Sequence, residues 1–313
     1  MPKSVISTVY FGGGTPTVLG EKRLAKVLDA VFACHTVLTD AEITTEANPG
    51  TVNADGLRVL RESGFNRLSL GLQSANDETL KRLGRIHDFR KFCDCYDDAV
   101  KFFDNISVDV MFALPNDAPK PTFDFVKELS PKHISAYSLI LEENTPLYKK
   151  QKDYVFPSED EEEEQYACLC EALSDYEHYE ISSFAKKGYE SRHNSAYWKR
   201  NDYIGIGPAA HSFWKNRRFS CPSDIKSFID GPSFPFNTDF ETSPEITPEE
   251  AEEERILLGL RLAEGVTIPQ SAYIAAQRFV DAGYATLNNG VFALNEKGFR
   301  ISNYIISNIL AVK

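Results

Sequence analysis

The sequence predicts an α/β protein. Parallel β/α units form a barrel or an open sheet, and a small helical unit with one β-hairpin follows. Three observations predict this. Short runs of β-branched and aromatic residues alternate with amphipathic helical stretches over about the first 180 residues. Gly and Pro clusters close several of the runs, as at Gly12-Gly13-Gly14, Asn48-Pro49-Gly50 and Pro115. From Thr247 the pattern becomes mainly helical, starting at Thr247-Pro248-Glu249-Glu250.

Taken in order, Ser4–Phe11 reads as the first strand, and Glu21–Phe32 as an amphipathic helix. Glu42–Glu46 is the second strand. Asn53–Ser63 is a helix with Gly64 placed to cap its end. Arg67–Leu72 is the third strand, with helices at Asp77–Leu83 and Phe89–Phe103 after it. Ile106–Phe112 is the fourth strand and Phe123–Leu129 a helix. His133–Leu139 is the fifth strand, Glu159–Ser174 a helix and Tyr179–Ser183 the sixth strand. The acids of Glu159–Glu164 suit a helix N-terminus and a solvated face.

Residues 1–215 are expected to form the β/α core. Residues 216–246, rich in Pro, Ser, Phe and Asp, read as a linker, and 247–313 as a small winged-helix-like unit. In that unit Thr247 caps a helix with proline at its first position. Helices are predicted over Glu249–Ala263 and Ser271–Ala282. Asn288-Asn289-Gly290 turns a hairpin between Tyr284–Leu287 and Val291–Leu294, and a last helix covers Glu296–Leu310.

Composition narrows the function classes. A formal net charge of -12 argues against nucleic acid as a partner, because phosphate binding needs a basic surface. No apolar run approaches the roughly 20 residues of a membrane helix, and no secretory leader is recognisable, so a cytoplasmic protein is expected. The six cysteines are Cys34, Cys93, Cys95, Cys168, Cys170 and Cys221. Their two Cys-x-Cys pairs lie in helical stretches, where residues two apart do not face each other. They are expected to be reduced thiols and not metal ligands, so no metal site is predicted.

Polar residues fall towards the C-terminal ends of successive strands: Gly12–Thr15 after the first, Glu46 at the end of the second, Gln73 after the third and Asp109 within the fourth. In a β/α barrel those ends share one mouth, where sites are built. Single polar residues at strand ends are common, but four on successive strands are a pattern. The glycines allow a backbone to approach a ligand, and no Gly-Lys-Ser/Thr follows to make a nucleotide triphosphate loop. Arg85 adds a fork of donors suited to a carboxylate. Together these groups suit a ligand with an amine, a carboxylate and a diol. Gly205-Ile206-Gly207-Pro208-Ala209-Ala210 has dinucleotide-site spacing, but a proline sits in its turn and no βαβ unit surrounds it. In His193-Asn194-Ser195-Ala196-Tyr197-Trp198, a helix puts His193 and Tyr197 on one face. Histidine beside aromatics suits a haem, though a surface histidine next to packed rings is the plainer reading from the residues alone.

Seven segments occur in a fixed order: Phe11–Thr17, Glu46–Gly50, Leu70–Ser74, Val108-Asp109, Ile134–Leu139, His193–Trp198 and Gly207–Ser212. In this the chain resembles the HemW-type haem chaperones, relatives of oxygen-independent coproporphyrinogen III oxidase, from Thr8 to about Ile309. The resemblance implies an incomplete radical-SAM (β/α)6 TIM-like barrel with a small C-terminal helical, winged-helix-like domain. It implies that Gly13, Gly14, Thr15, Glu46, Gln73, Arg85 and Asp109 bind S-adenosylmethionine. It implies that His193, Tyr197 and Trp198 bind haem, and it leaves the role of His211 open. The partners implied are haem and a haem-accepting protein. An oxidative decarboxylase of coproporphyrinogen III, or a family scaffold without catalysis, are the alternatives.

The departures are specific. The family's first strand carries Cys-x-x-x-Cys-x-x-Cys, whose thiolates hold a [4Fe–4S] cluster. No three of the six cysteines here have that spacing. The expectation is a chain beginning inside a longer one, or else a degenerate member. Ala113–Asp117 also stands where the family has Gly-Leu-Pro-Gly-Gln, and Thr267–Gln277 reads as short.

Overall fold

The computed structural model describes residues 4–143, 145–231, 238–240 and 242–312. The chain divides into two compact units, Met1–His193 and Asn194–Lys313.

In the first unit the elements follow as β1 (Val5–Phe11), α1 (Glu21–Cys34), β2 (Thr36–Ala47), α2 (Ala54–Glu62) and β3 (Arg67–Gln73). After them come α3 (Asp77–Arg82), α4 (Phe89–Ala99), β4 (Ile106–Phe112), α5 (Lys120–Leu129) and β5 (His133–Ser138). The unit continues through α6 (Pro146–Lys149), α7 (Glu159–Ala172), β6 (Glu177–Glu180) and β7 (Ser183–Ala185) to the start of α8 (Arg192–Trp198). A seven-stranded sheet has the order β1-β2-β3-β4-β5-β7-β6, with β1 to β5 all parallel. Its end strands β1 and β6 do not pair with each other, so the barrel is incomplete, as expected.

Local chemistry explains the helices. The side chains of Asn53, Asn76 and Asp88 accept hydrogen bonds from the first-turn amides of α2, α3 and α4. Ser158 and Glu161 form a reciprocal capping box on α7. Gly64 (φ 111°) takes the left-handed conformation after α2.

Strand alternation separates the two faces of the sheet. Ile43, Leu68, Leu70, Leu72, Val108, Val110 and Ile134 are buried in one core with Leu24 and Leu28 of α1, Leu57 and Leu60 of α2, Phe92 of α4, and Phe123 of α5. Each such fully buried side chain contributes about 1.5–3 kcal/mol. The opposite face carries the alternate residues, and most of these are polar.

The sixth strand expected at Tyr179–Ser183 is instead a hairpin. β7 runs antiparallel to β5, and β6 antiparallel to β7. The two strands are joined through Ile181-Ser182, too short for the crossover that a parallel pair needs. α4 also stops at Ala99, short of Phe103, while β2 begins earlier, at Thr36.

The second unit contains β8 (His211–Trp214), β9 (Arg217–Ser220), α9 (Ile225–Asp230), α10 (Pro248–Gly259), β10 (Val266–Thr267) and α11 (Tyr273–Asp281). β11 (Ala285–Asn288), β12 (Val291–Leu294), α12 (Glu296–Arg300) and α13 (Ser302–Leu310) complete it. The predicted hairpin is β11–β12, with Asn289 (φ 51°) and Gly290 (φ 82°) in its turn. β10 joins it as a third strand. The single last helix expected is broken at Ile301 into α12 and α13.

The stretch 216–246 is not a plain linker: it holds β9 and α9, while residues 232–237 and 241 lie outside the described residues. Lys215 and Asn216, both at positive φ, turn β8 back onto β9. Asn216 bonds Ile246 through both its backbone and its side chain, which closes the segment on itself. The first unit ends at His193, whereas the sequence placed the boundary at residue 215. Among the described residues no helix is long and apolar enough to cross a membrane.

Candidate functional site

The polar face of the first unit is built in register. Tyr10 pairs with Thr44 and Thr44 with Arg67. Glu46 pairs with Ser69, Ser69 with Ser107 and Ser107 with His133. Gly71 pairs with Asp109, and Asp109 with Ser135. Ser69 donates to both carboxylate oxygens of Asp109, at 3.0 and 2.8 Å. Ser107 lies 2.8 Å from His133 Nδ1, and His133 Nε2 lies 2.9 Å from the Tyr179 hydroxyl. Burial raises the Asp109 carboxyl, against the serine hydroxyls and the charge of Arg67, which lower it.

At the C-terminal ends of the strands the predicted residues converge. Tyr10 donates to Glu46 Oε1 at 2.8 Å. Burial raises the Glu46 carboxyl, the Tyr10 donor opposes the rise, and Asp109 adds to it. Two carboxyls that resist ionisation would gain from a cationic amine between them. Asn48 Nδ2 donates to Thr15 Oγ1 at 2.6 Å, and Arg85 Nη1 reaches Asn48 Oδ1 at 3.5 Å. Gln73 ends β3 at φ 67°, and its amide sits over Gly71. A Cβ at Gly71 would lie 2.7 Å from both Asn48 Oδ1 and Gln73 Nε2. At Gly12 it would lie 2.7 Å from Glu46 Oε1, so the glycines admit this packing sterically. Gly13 takes φ 85°, a turn that favours glycine.

Three members of this face escaped the sequence reading. Asn48 reads only as a strand terminator, and Tyr10 only as part of the first strand. Arg67 is 3% exposed, and its Nε and Nη1 have no hydrogen-bond partner among the described residues. The parity of β1 and β3, shared with Thr8 and Ser69, was the available signal for Tyr10 and Arg67.

His193 belongs to this unit. Its Nδ1 lies 2.9 Å from Thr8 Oγ1, and its ring stacks on Tyr10 at 5.0 Å between centroids. Burial, helped by the charge of Arg67, lowers the imidazole to about 4, so it is neutral at pH 7. The amides of Arg192 and His193 donate to the Glu42 carboxylate at 3.1 and 2.9 Å. A carboxylate from β2 thus caps α8.

Tyr197 and Trp198 belong to the second unit. There they line a cavity of about 410 Å³ with Tyr203 and Phe213. Tyr197 and Tyr203 meet edge to face at 4.6 Å. Arg200, Arg218 and His211 lie on the same lining. The segment 205–210 is a loop between Tyr203 and β8, without the strand and helix of a dinucleotide site. The Gly205 amide donates to Ser212 Oγ at 3.0 Å.

The six cysteines are free thiols. Cys93 and Cys95 lie on α4, Cys168 and Cys170 on α7, and Cys34 ends α1. Burial raises Cys95 to about 11. Among the described residues no three His, Cys, Asp or Glu side chains cluster as a metal site. These thiols therefore do not fit an iron–sulfur cluster, whereas the strand-end groups fit the amine, carboxylate and hydroxyls of S-adenosylmethionine.

Comparison with known proteins bears on the same features. Residues 2–129 match the Radical SAM superfamily model. The chain is 36% identical over 274 residues to the haem chaperone HemW of Bacillus subtilis (strain 168), covering 84% of this chain and 71% of that one. It is 39% identical over 217 residues to the HemW of Escherichia coli (strain K12), covering 66% of this chain and 56% of that one. The fold is similar to coproporphyrinogen III oxidase (HemN) from Escherichia coli, a radical SAM enzyme. That match has a TM-score of 0.77 at 18% identity, covering 98% of this chain and 78% of that one. Radical SAM proteins use S-adenosylmethionine and a [4Fe–4S] cluster, and the chain belongs to the HemW family within that superfamily.

Proposed function

We propose that this protein is a cytosolic haem carrier that binds haem and passes it to an acceptor protein, on a barrel that binds S-adenosylmethionine. The observation that carries the haem reading is His193. It is a neutral imidazole at the start of α8, oriented by Thr8 and stacked on Tyr10. Iron is bound by neutral imidazole, and a hydrogen bond to the other ring nitrogen is what orients a ligating histidine. Tyr197 and Trp198, on the same helix, supply aromatic surface for a flat macrocycle. The names of the relatives point the same way.

For S-adenosylmethionine, Glu46 and Asp109 accept from the amine and ribose hydroxyls, Arg85 holds the carboxylate, and Gly13, Gly14, Thr15 and Gln73 cradle the methionine end. Bound there, the molecule supplies a sulfonium centre. Asn48 keeps Thr15 and Arg85 aligned, and Tyr10 holds Glu46. The cysteines among the described residues do not form the site of an iron–sulfur cluster. For the same reason the oxidative decarboxylase is the weaker reading.

Titration of the full chain with haem, followed by absorbance, tests the proposal. Saturable binding is expected, and His193→Ala is expected to lose most of it. Unchanged affinity in that variant overturns the ligand assignment, and no saturable binding by the wild type overturns the function.

A further inference from the structure

One side chain of the first unit touches a residue of each proposed ligand site. The Tyr10 hydroxyl donates to Glu46 Oε1 at 2.8 Å. The Tyr10 ring stacks on the His193 imidazole, with centroids 5.0 Å apart and planes 19° apart. One contact uses the hydroxyl and the other the ring face, so the two can be separated by substitution. Burial raises the Tyr10 phenol, and the Glu46 and Asp109 carboxyls add to the rise, so it is a neutral donor at pH 7.

The surroundings hold this arrangement closely. A Cβ at Gly12 would lie 2.5 Å from Tyr10 Cε1 and 2.7 Å from Glu46 Oε1, so Gly12 backs both groups. Thr8 Oγ1, 2.9 Å from Nδ1, fixes the edge of the same imidazole. All five residues lie within Met1–His193.

As packing alone, these contacts would leave the two ligands independent. The chemistry of Glu46 makes them dependent. Burial favours the neutral carboxyl, whereas a cationic amine beside it favours the carboxylate. An ionised acceptor takes a shorter and stronger hydrogen bond than a neutral one. The amine of S-adenosylmethionine would therefore tighten the Tyr10 hydroxyl on Glu46. A fixed Tyr10 ring leaves the imidazole fewer orientations, so haem meets a histidine already ordered.

We propose that Tyr10 is a positioning residue shared by the two sites, so that S-adenosylmethionine at Glu46 raises the affinity of His193 for haem. By linkage, haem raises the affinity for S-adenosylmethionine by the same factor, about fivefold. The proposal rests on both ligand readings above and adds their dependence on each other.

The test titrates the full chain with haem, by absorbance, with and without saturating S-adenosylmethionine. It also titrates S-adenosylmethionine, by calorimetry, with and without haem. In the wild type the two affinity ratios are expected to be equal, at about five. Tyr10→Phe keeps the stacked ring and loses the hydroxyl. Its ratio is expected to fall to about one, at concentrations that calorimetry shows to saturate that variant. Thr8→Val loosens the same imidazole without touching Glu46 and is expected to keep the wild-type ratio. A ratio of about five in Tyr10→Phe, or one lost equally in Thr8→Val, overturns the assignment to Tyr10.

A second readout needs no variant. In the haem-free wild type, the ring-proton NMR signals of His193 are expected to move when S-adenosylmethionine is added, because the stacked Tyr10 ring shields them. Wild-type ratios of one, or unmoved His193 signals, overturn the proposal and leave both binding readings standing. A wild-type chain that fails to bind one of the ligands removes that ligand's reading and this inference with it.

Discussion

Thr8 Oγ1 lies 2.9 Å from Nδ1 of His193, across 185 positions of sequence. One bond therefore ties the edge strand β1 to the first turn of α8. Tyr10, two residues along the same face of β1, stacks on the ring and donates to Glu46. The histidine of the family's distinctive motif thus shares one polar face with the residues expected to bind S-adenosylmethionine. Thr8→Val should cost about 1 kcal/mol by urea unfolding, the usual net value of such a bond. No loss would mean that this hydrogen bond does not hold the ring in place.

The buried imidazole makes stability depend on pH. Burial lowers His193 from an unfolded value near 6.5 to about 4, so the unfolded chain binds more protons in that window. Stability is then full above pH 6.5 and falls as pH drops towards 4, by on the order of 1 kcal/mol per pH unit. His178, also lowered to about 4 by burial, acts with the same sign. Glu46 and Asp109, raised by burial, act with the opposite sign. Urea unfolding at pH 6.5 and 5.0 isolates the His193 contribution: His193→Gln should show the shallower pH dependence. Parallel curves would refute it.

Gly71→Ala tests the strand-end site without altering any proposed ligand. The added Cβ would come within 2.7 Å of Asn48 Oδ1 and Gln73 Nε2 and must displace both. Calorimetric titration with S-adenosylmethionine should show about a tenfold loss, as for a misplaced hydrogen-bonding group. Equal affinity would remove Asn48 and Gln73 from the site.

Arg67→Met tests the orphaned guanidinium. A buried cation without a full set of partners is costly, and an apolar replacement of similar length should be neutral or stabilising by about 1 kcal/mol. The His193 pKa, followed by NMR, should rise, because the charge of Arg67 helps to lower it. A loss above about 2 kcal/mol would reveal a tightly bound partner, such as ordered water or an anion.

In the second unit the Glu254 carboxylate pairs with both Arg200 and Arg218. Glu254→Gln leaves two neighbouring guanidiniums without their counter-charge and should cost about 1–3 kcal/mol by thermal or urea unfolding. High salt should recover part of the loss by screening the repulsion. A silent substitution would show that the pair is worth no more than an exposed salt bridge.

Elements whose signals are local were legible in the sequence. The period of Leu68, Leu70 and Leu72 marks β3, Asn53 and Ser158 mark helix starts, and Asn289-Gly290 marks the β11–β12 turn. The sequence also placed Glu46, Gln73 and Asp109 at one mouth, because parallel strands carry their C-terminal ends to the same side. Tertiary structure alone decided what depends on partners distant in sequence. Glu42 caps α8 from 150 positions away, β7 reverses against β5, and Glu254 gathers Arg200 and Arg218. Local propensity carries no information about which remote group will satisfy a buried donor or charge. That is settled only when strand pairing and packing bring the chain segments together.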